Sequence, residues 1–171
     1  MSGPDTANLR KYSRQDQKIV ATWAADCALR VLPFFEQAYP HDERPRKAIE
    51  ACRRWVRTGV FRMADIRGVA LAAHAAAREA KANPAASCAA RSAGYAVATA
   101  HVPQHAFGAS IYALKSWIAK APSDSAARAM KEQRWQAARL PARLRREFLK
   151  RVILREERGT TRVKLIKDGD F

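Results

Sequence analysis

Two consecutive segments of the chain consist largely of alanine, and they constrain the fold more than any other feature. They are MADIRGVALAAHAAAREAK, residues 63–81, and PAASCAARSAGYAVATA, residues 84–100. Asn83 is placed to cap a helix whose first residue is Pro84. Because small side chains allow helix axes to approach closely, both segments are expected to be helices that form a tightly packed central pair.

Apolar residues recur at helical spacing on both sides of this pair. One stripe within residues 14–38 consists of Val20, Trp23, Cys27, Val31 and Phe34, and another consists of Phe107, Ile111, Leu114 and Ile118. A second helix is expected between an Asp42 cap and Gly59. Two more are expected over residues 121–140 and 141–159, burying Ala127, Met130 and Trp135 in the first and Leu144, Phe148 and Val152 in the second.

The last part of the chain differs from this helical pattern. The segment TTRVKLIK, residues 160–167, has strand character, and no partner strand is predicted within the chain. It is therefore expected to be an ordered tail or to pair with a second copy, which leaves both a monomer and a homodimer open. The predicted fold is an all-α single-domain bundle of about seven helices, with residues 1–13 as an N-terminal tail, 14–158 as the helical domain and 159–171 as a short basic C-terminal tail.

The charge of the chain restricts its partners. Thirty-two Lys and Arg residues stand against 16 Asp and Glu residues, a formal net charge of +16. A positive surface favours encounters with phosphate backbones, anionic membranes or acidic proteins. The sequence contains neither an uninterrupted apolar run of 18 residues nor a secretory signal, so we expect no membrane association and a cytoplasmic location.

The three cysteines have no metal-binding or disulfide spacing. Cys27, Cys52 and Cys88 are odd in number, far apart and set in apolar helical patterns. This arrangement favours buried, reduced thiols.

The segment ATAHVPQHAFGA, residues 98–109, places two histidines four positions apart. On one helix His101 and His105 would resemble a metal pair, with His74 as a third ligand. Pro103 disfavours a continuous helix there, so we expect a joint between two helices and no metal site. A hydrogen-bonded structural cluster and a partner-binding or catalytic cluster both remain open. The hypothesis is that the three histidines converge with Asp26 or Glu50 on one polar pocket.

No motif in the chain points to catalysis or to a cofactor. The sequence has no G-x-S-x-G, no phosphate-binding loop and no glycine-rich dinucleotide turn. We therefore expect a protein that is not an enzyme and that needs no cofactor.

The basic C-terminal region supplies an alternative function. A stripe of cations there is suited to contacts with phosphates, although no aromatic platform or known DNA-binding motif accompanies it. A nucleic-acid-binding protein would use Arg139, Arg143, Arg146, Lys150 and Arg151.

Several blocks of the sequence carry a family resemblance. In chain order they are ATWAADCALRVLPFFEQAYPHDERPRKAIEACRRWV, ALAAHAAAREA, ARSAGYAVATAHVPQHAFGASIYALK and EQRWQAARLPARLR. Over residues 20–146 the chain resembles the putative immunity protein family of bacterial polymorphic toxin systems, the Imm-five-like domain. The resemblance implies a small helical protein that neutralises a toxin by binding it, without catalysis.

The same resemblance implies where binding residues lie. The family's polar signature falls here on the DERPR turn and on positions scattered along the chain before and after it: Asp26, Asp42, Arg44, Arg46, Glu50, Arg54, His74, His101 and His105. Immunity proteins that mask nucleases are typically acidic, whereas this chain is strongly basic. A toxin with an acidic surface is therefore the expected partner.

The two arginines of the DERPR turn have two alternative roles. Arg44 and Arg46 flank Pro45 at the start of a helix, where their guanidinium groups could grip a carboxylate or phosphate. Alternatively, Arg46, Glu50 and Arg54 stand four residues apart and would pair along a solvated helix face.

Overall fold

A computed structural model describes residues 11–168 and residue 171 of the chain. The predicted bundle of seven helices is confirmed within this part of the chain. None of the helices there is both long enough and apolar enough to cross a membrane. The helices are α1 Arg14–Glu36, α2 Arg44–Thr58, α3 Met63–Glu79, α4 Pro84–Ala98, α5 His105–Lys120, α6 Ser125–Ala138 and α7 Ala142–Arg151, followed by the strands β1 Val152–Glu157 and β2 Thr160–Leu165.

The ends of α2 follow from local sequence chemistry. The helix begins two residues after Asp42, with Glu43 in the cap position, so the predicted Asp42 cap is displaced by one residue. Asp42 still acts on the helix start, because its Oδ1 accepts a hydrogen bond from the backbone N–H of Arg44 at 3.1 Å. Gly59 ends the helix as predicted, in the left-handed conformation at φ 68°, which glycine adopts without a steric penalty.

Helix α4 lies at the centre of the bundle. It packs against α1, α2, α3 and α5, whereas α3 packs mainly against α2 and α4. The Asn83 side chain caps α4 as predicted, accepting a hydrogen bond from the backbone N–H of Ala86 at 3.1 Å. Close packing is possible because the buried residues of α4 are almost all small; they are Ala85, Ala86, Ala89, Ala90, Ser92, Ala93, Gly94, Ala96 and Val97.

The buried face of α6 differs from the predicted one. Ala127 and Met130 are exposed, and Trp135 is half-buried. The buried positions include Glu132 and Gln136, whose polar groups find partners inside the bundle. Gln136 accepts a hydrogen bond from Ser110 Oγ at 2.6 Å. The expectation was wrong because an apolar pattern cannot reveal polar groups that a neighbouring helix satisfies.

The C-terminal region forms a β-hairpin, which corrects two expectations. Helix α7 ends at Arg151 instead of continuing to Gly159, and TTRVKLIK finds its partner strand in the preceding residues. Strands β1 and β2 pair antiparallel, with Glu157 opposite Thr160. Both turn residues between them, Arg158 and Gly159, have positive φ. Such two-residue turns match the twist of a hairpin, and the sequence pattern does not separate this turn from a helix end because glycine is favoured in both.

Buried polar contacts attach the hairpin to the bundle. Gln133 of α6 donates a hydrogen bond from Nε2 to the carbonyl oxygen of Val152 at 2.7 Å. Arg151 is 1% exposed, and its guanidinium contacts Glu147, Asp168 and the carbonyl oxygen of Ile166. Hydrogen bonds to a buried charge are among the stronger ones in proteins, so this arginine holds the end of α7 to the chain that follows β2.

Candidate functional site

The predicted joint between α4 and α5 is present. Residues 99–104 separate the two helices, and His105 is the first residue of α5. His101 lies in the turn between them and is exposed. The buried side chain of Gln17 on α1 stabilises the joint, because its Nε2 donates hydrogen bonds to the carbonyl oxygens of Thr99 and Ala100, both at 3.0 Å. These carbonyls follow the end of a helix and would otherwise lack partners.

His101 and His105 have different neighbours. The His101 ring stacks on Phe61 from the loop between α2 and α3, with ring centroids 6.5 Å apart. The His105 ring packs on Tyr95 of α4, at 5.7 Å. Their separation by a turn therefore places the two imidazoles against side chains from different parts of the fold.

Tyr95 is the centre of an aromatic row that spans three helices. Its ring contacts His74 of α3 at 5.1 Å and stacks on Tyr112 of α5 at 5.4 Å. Gly108 makes room for it, because a β-carbon at that position would lie 2.5 Å from Tyr95 Cδ1. Neither Tyr95 nor Tyr112 was singled out from the sequence, although the glycine of SAGY and that of AFGA mark the close approaches.

The surroundings of His74 and His105 favour the neutral forms of these two histidines. Burial is the main cause of the lowered pKa of His74, and the positive charges of Arg91 and Arg78 add to it. Burial also lowers the pKa of His105, and the charges of His101 and Lys167 act in the same direction.

Asp26 and Glu50 do not contribute to these histidine surroundings. Asp26 accepts a hydrogen bond from Arg53 at 3.0 Å, and Glu50 is exposed on α2. Neither acid is among the groups that shift the pKa of His74 or His105. Within residues 11–168 and 171, no set of three His, Cys, Asp or Glu side chains is placed to hold a metal ion.

Arg44 is held by two carboxylates of its own chain. It donates to Asp42 at 2.7 and 2.9 Å and to Glu79 at 2.5 and 3.1 Å, so it ties the start of α2 to the end of α3. These hydrogen bonds lower the pKa of both Asp42 and Glu79. The Arg44 guanidinium therefore binds carboxylates, as one of the two expected roles required, but both carboxylates belong to the same chain.

Arg46 and Arg54 do not form the predicted ladder with Glu50. Arg46 binds both carboxylate oxygens of Glu36 at 2.6 and 2.8 Å. Arg54 is exposed and has no acidic partner in the described part of the chain. Arg44 and Arg46 at the start of α2 and Arg53 nearer its end are therefore paired with acids of the protein, whereas Arg54 is not.

The cations of the C-terminal stripe are largely engaged as well. Arg143 pairs with Asp16 at 2.5 Å, Lys150 pairs with Asp168 at 3.3 Å, and Arg151 is buried. Arg139 lies over the Trp135 ring, 4.2 Å from its centroid. Only Arg146 is both exposed and without such a contact among the described residues.

A different surface carries unpaired cations around exposed apolar side chains. Val60, Phe61 and Met63, where α2 turns into α3, are 62%, 38% and 43% exposed. Beside them is a cavity of about 270 Å³ with Trp55 and Ile66 among its lining residues. We call this region the corner surface, and define it by Val60, Phe61 and Met63, the cavity, and the cations Arg14, Lys18, Arg54 and Arg62.

The four cations approach the corner surface from two helices and a loop. Arg54 and Arg62 line the cavity, together with the single acid Asp65. The Arg14 guanidinium lies 5.6 Å from the centroid of the Trp55 ring. A β-carbon built at Gly59 would lie 3.9 Å from Lys18 Nζ. Of these four cations only Arg54 was singled out from the sequence. The others gain significance from their position beside Val60, Phe61 and Met63, and the sequence pattern does not show that the fold leaves these apolar residues exposed.

Comparison with known proteins identifies the family. The family model described as Imm-5 like putative immunity protein matches residues 10–143, which include α1 to α6 and all the histidines and arginines of the predicted polar signature. No curated protein and no solved structure matches the chain. The chain belongs to the Imm-5 like putative immunity protein family.

Proposed function

We propose that the protein is an immunity protein that binds a toxin in the cytoplasm and neutralises it without catalysis. The observation that carries the proposal is the family match over residues 10–143, which covers most of the helical bundle. The partner is a protein with an acidic surface, as the net charge of +16 indicates. Neutralisation proceeds by occlusion, in which a preformed helical surface covers the part of the toxin that acts on its target.

The distribution of paired and unpaired cations favours a protein partner over nucleic acid. Three of the five cations of the C-terminal stripe already contact acids of the chain. A phosphate backbone would have to compete with these internal ion pairs. The unpaired cations of the corner surface instead surround apolar side chains, a combination that is typical of protein interfaces.

The test is rescue of cells from a toxin encoded beside the gene for this protein. Co-expression is expected to restore growth, and the two proteins are expected to elute as one complex in size-exclusion chromatography. Failure of both would refute the immunity function. A gel shift of duplex or single-stranded DNA at low salt, weakening steeply as salt rises, would favour the nucleic-acid alternative instead.

A further inference from the structure

We propose that the corner surface is the docking site for an acidic segment of a protein partner. The inference deepens the proposed function, because the partner of that function would be the toxin. The segment would carry Asp or Glu residues next to apolar ones, the first contacting the arginines and the second covering Val60 and Phe61.

The exposed apolar side chains of the corner surface make it suited to a protein contact. Val60, Phe61 and Met63 lie within four consecutive positions, and each is more than one third exposed. Among the ring contacts of the described residues, Phe61 stacks only on His101. Contiguous exposed apolar groups with a polar rim mark interaction sites, and aromatic residues at the centre of such patches commonly supply much of the binding energy.

The cations of the corner surface specify an acidic occupant. Arg14, Lys18, Arg54 and Arg62 have no acidic partner within the described residues, and Asp65 is the one acid that lines the cavity. Arg44, Arg46 and Arg53 of α2 differ from Arg54, since each of them binds a carboxylate of the chain. Complementary charges across an interface accelerate association and fix its register.

The cavity gives the segment a place for one side chain. Trp55 and Ile66 in its lining are buried, at 1% and 7% exposure, and give the cavity an apolar inner wall. Arg54 and Arg62 at its edge are exposed. An apolar side chain of the partner would enter the cavity while a neighbouring carboxylate meets one of the two arginines.

Charge reversal at the cavity tests the proposal against a matched control. The probe is a short fluorescein-labelled peptide in which Glu and Asp alternate with Leu and Phe, and binding is measured by fluorescence anisotropy at low salt. We expect Arg54→Glu with Arg62→Glu to weaken binding about tenfold or more. The control combines Lys131→Glu with Arg134→Glu on α6, two cations without ion pairs among the described residues. The control variant changes the net charge by the same amount and should weaken binding less than about threefold.

Nuclear magnetic resonance of the wild-type protein locates the peptide independently. The indole N–H signal of Trp55 is expected to shift on titration, together with the backbone amides of Val60 and Phe61. No binding of the peptide, equal weakening by both double variants, or shifts confined to another surface would each overturn the proposal. Displacement of the peptide by duplex DNA, with the same dependence on Arg54 and Arg62, would also overturn it in favour of a nucleic-acid surface.

The rescue assay separates this inference from the proposed function. If wild type and the Arg54→Glu, Arg62→Glu variant protect cells equally from the toxin, the corner surface is not the docking site and the immunity function stands. If the peptide binds at the corner surface but wild type gives no protection, the docking site stands and the immunity function fails. Circular dichroism melts of both double variants establish that they fold.

Discussion

The ring of His74 on α3 lies directly against Gly94 on α4, and it leaves no space for a side chain at position 94. A β-carbon built at Gly94 would lie 2.8 Å from both Cε1 and Nε2 of His74. His74 is in turn held by Tyr95, which follows Gly94 in the chain. The central helix therefore makes room for a polar ring in an otherwise alanine-lined contact, and His74 takes part in the packing between α3 and α4.

Gly94→Ala is expected to destabilise the protein, although alanine is the better helix former. The added methyl group forces the His74 ring or α3 to shift, and overpacking of this kind costs about 1–3 kcal/mol, more than the roughly 1 kcal/mol gained from helix propensity. Urea unfolding monitored by circular dichroism measures the difference.

The chain contains its own control for this substitution. Gly68 is an exposed residue of α3, and a β-carbon added there would meet nothing within 4 Å. Gly68→Ala is expected to stabilise the protein by about 0.5–1 kcal/mol. Addition of His74→Ala to Gly94→Ala should recover part of the loss; unchanged stability of Gly94→Ala itself would contradict the close contact between Gly94 and His74.

Arg30→Gln is expected to destabilise the protein by about 1–3 kcal/mol. Its guanidinium binds both carboxylate oxygens of Glu132 at 3.0 and 3.2 Å, and the Glu132 side chain is only 2% exposed. Removal of the arginine leaves a buried carboxylate without its main partner. Chemical denaturation is the appropriate measurement, because the expected loss is a shift of the unfolding midpoint.

Arg46→Gln is the matched comparison for Arg30→Gln. Arg46 makes a similar two-point contact with Glu36, but the side chains are 46% and 32% exposed. Solvent screens such a pair, and its removal should cost less than about 1 kcal/mol. Equal losses for the two substitutions would show that burial of Glu132 does not set the strength of its ion pair.

The stability of the protein is expected to fall as the pH is lowered below about 6.5. Burial lowers the pKa of both His74 and His105 beneath their ordinary value of 6.5, so the unfolded chain takes up protons first. The contribution of the two neutral histidines to the free energy of unfolding is complete above pH 6.5, and it is lost as the pH falls through their folded-state pKa values. Urea unfolding at a series of pH values between 8 and 5 measures this dependence.

The double variant His74→Gln, His105→Gln should show a smaller loss over the same interval. The carboxyl groups with lowered pKa values, Asp42 and Glu79 among them, titrate below this interval. A pH dependence that is identical in the double variant and in wild type would assign it to other groups.

Alkylation under native conditions should distinguish the three free cysteines. Cys27 and Cys52 are buried, and burial raises the pKa of the Cys52 thiol to about 12. Cys88 is only partly buried. Because the thiolate is the reactive form, iodoacetamide at pH 8 should modify Cys88 first, as measured by mass spectrometry, and all three in denaturant. Rapid native modification of Cys27 or Cys52 would contradict the packing of α1 and α2.

Local signals in the sequence were sufficient for most of the helical architecture. Asn83 and Gly59 act at helix ends through hydrogen bonds and backbone conformations that involve only near neighbours. Pro103 marks the joint between α4 and α5 for the same reason. The alanine-rich segments also determined a close helix contact, since their side chains leave little distance between the helix axes.

Only the tertiary structure decided the pairings between distant residues. Arg46 binds Glu36 and not Glu50, and Glu132 is buried because Arg30 of α1 reaches it. The β-hairpin also depends on tertiary contacts. Strand β1, VILREE, pairs with strand β2, TTRVKL, and the hairpin packs against α5 and α6.

The sequence by itself therefore determined the helices, their ends and the excess of positive charge. The fold decided which of many equivalent arginines meet a carboxylate and which stay unpaired around Phe61. The physical reason is that helix propensity and capping act over a few residues, whereas ion pairing and burial depend on distances between groups that lie far apart in the chain.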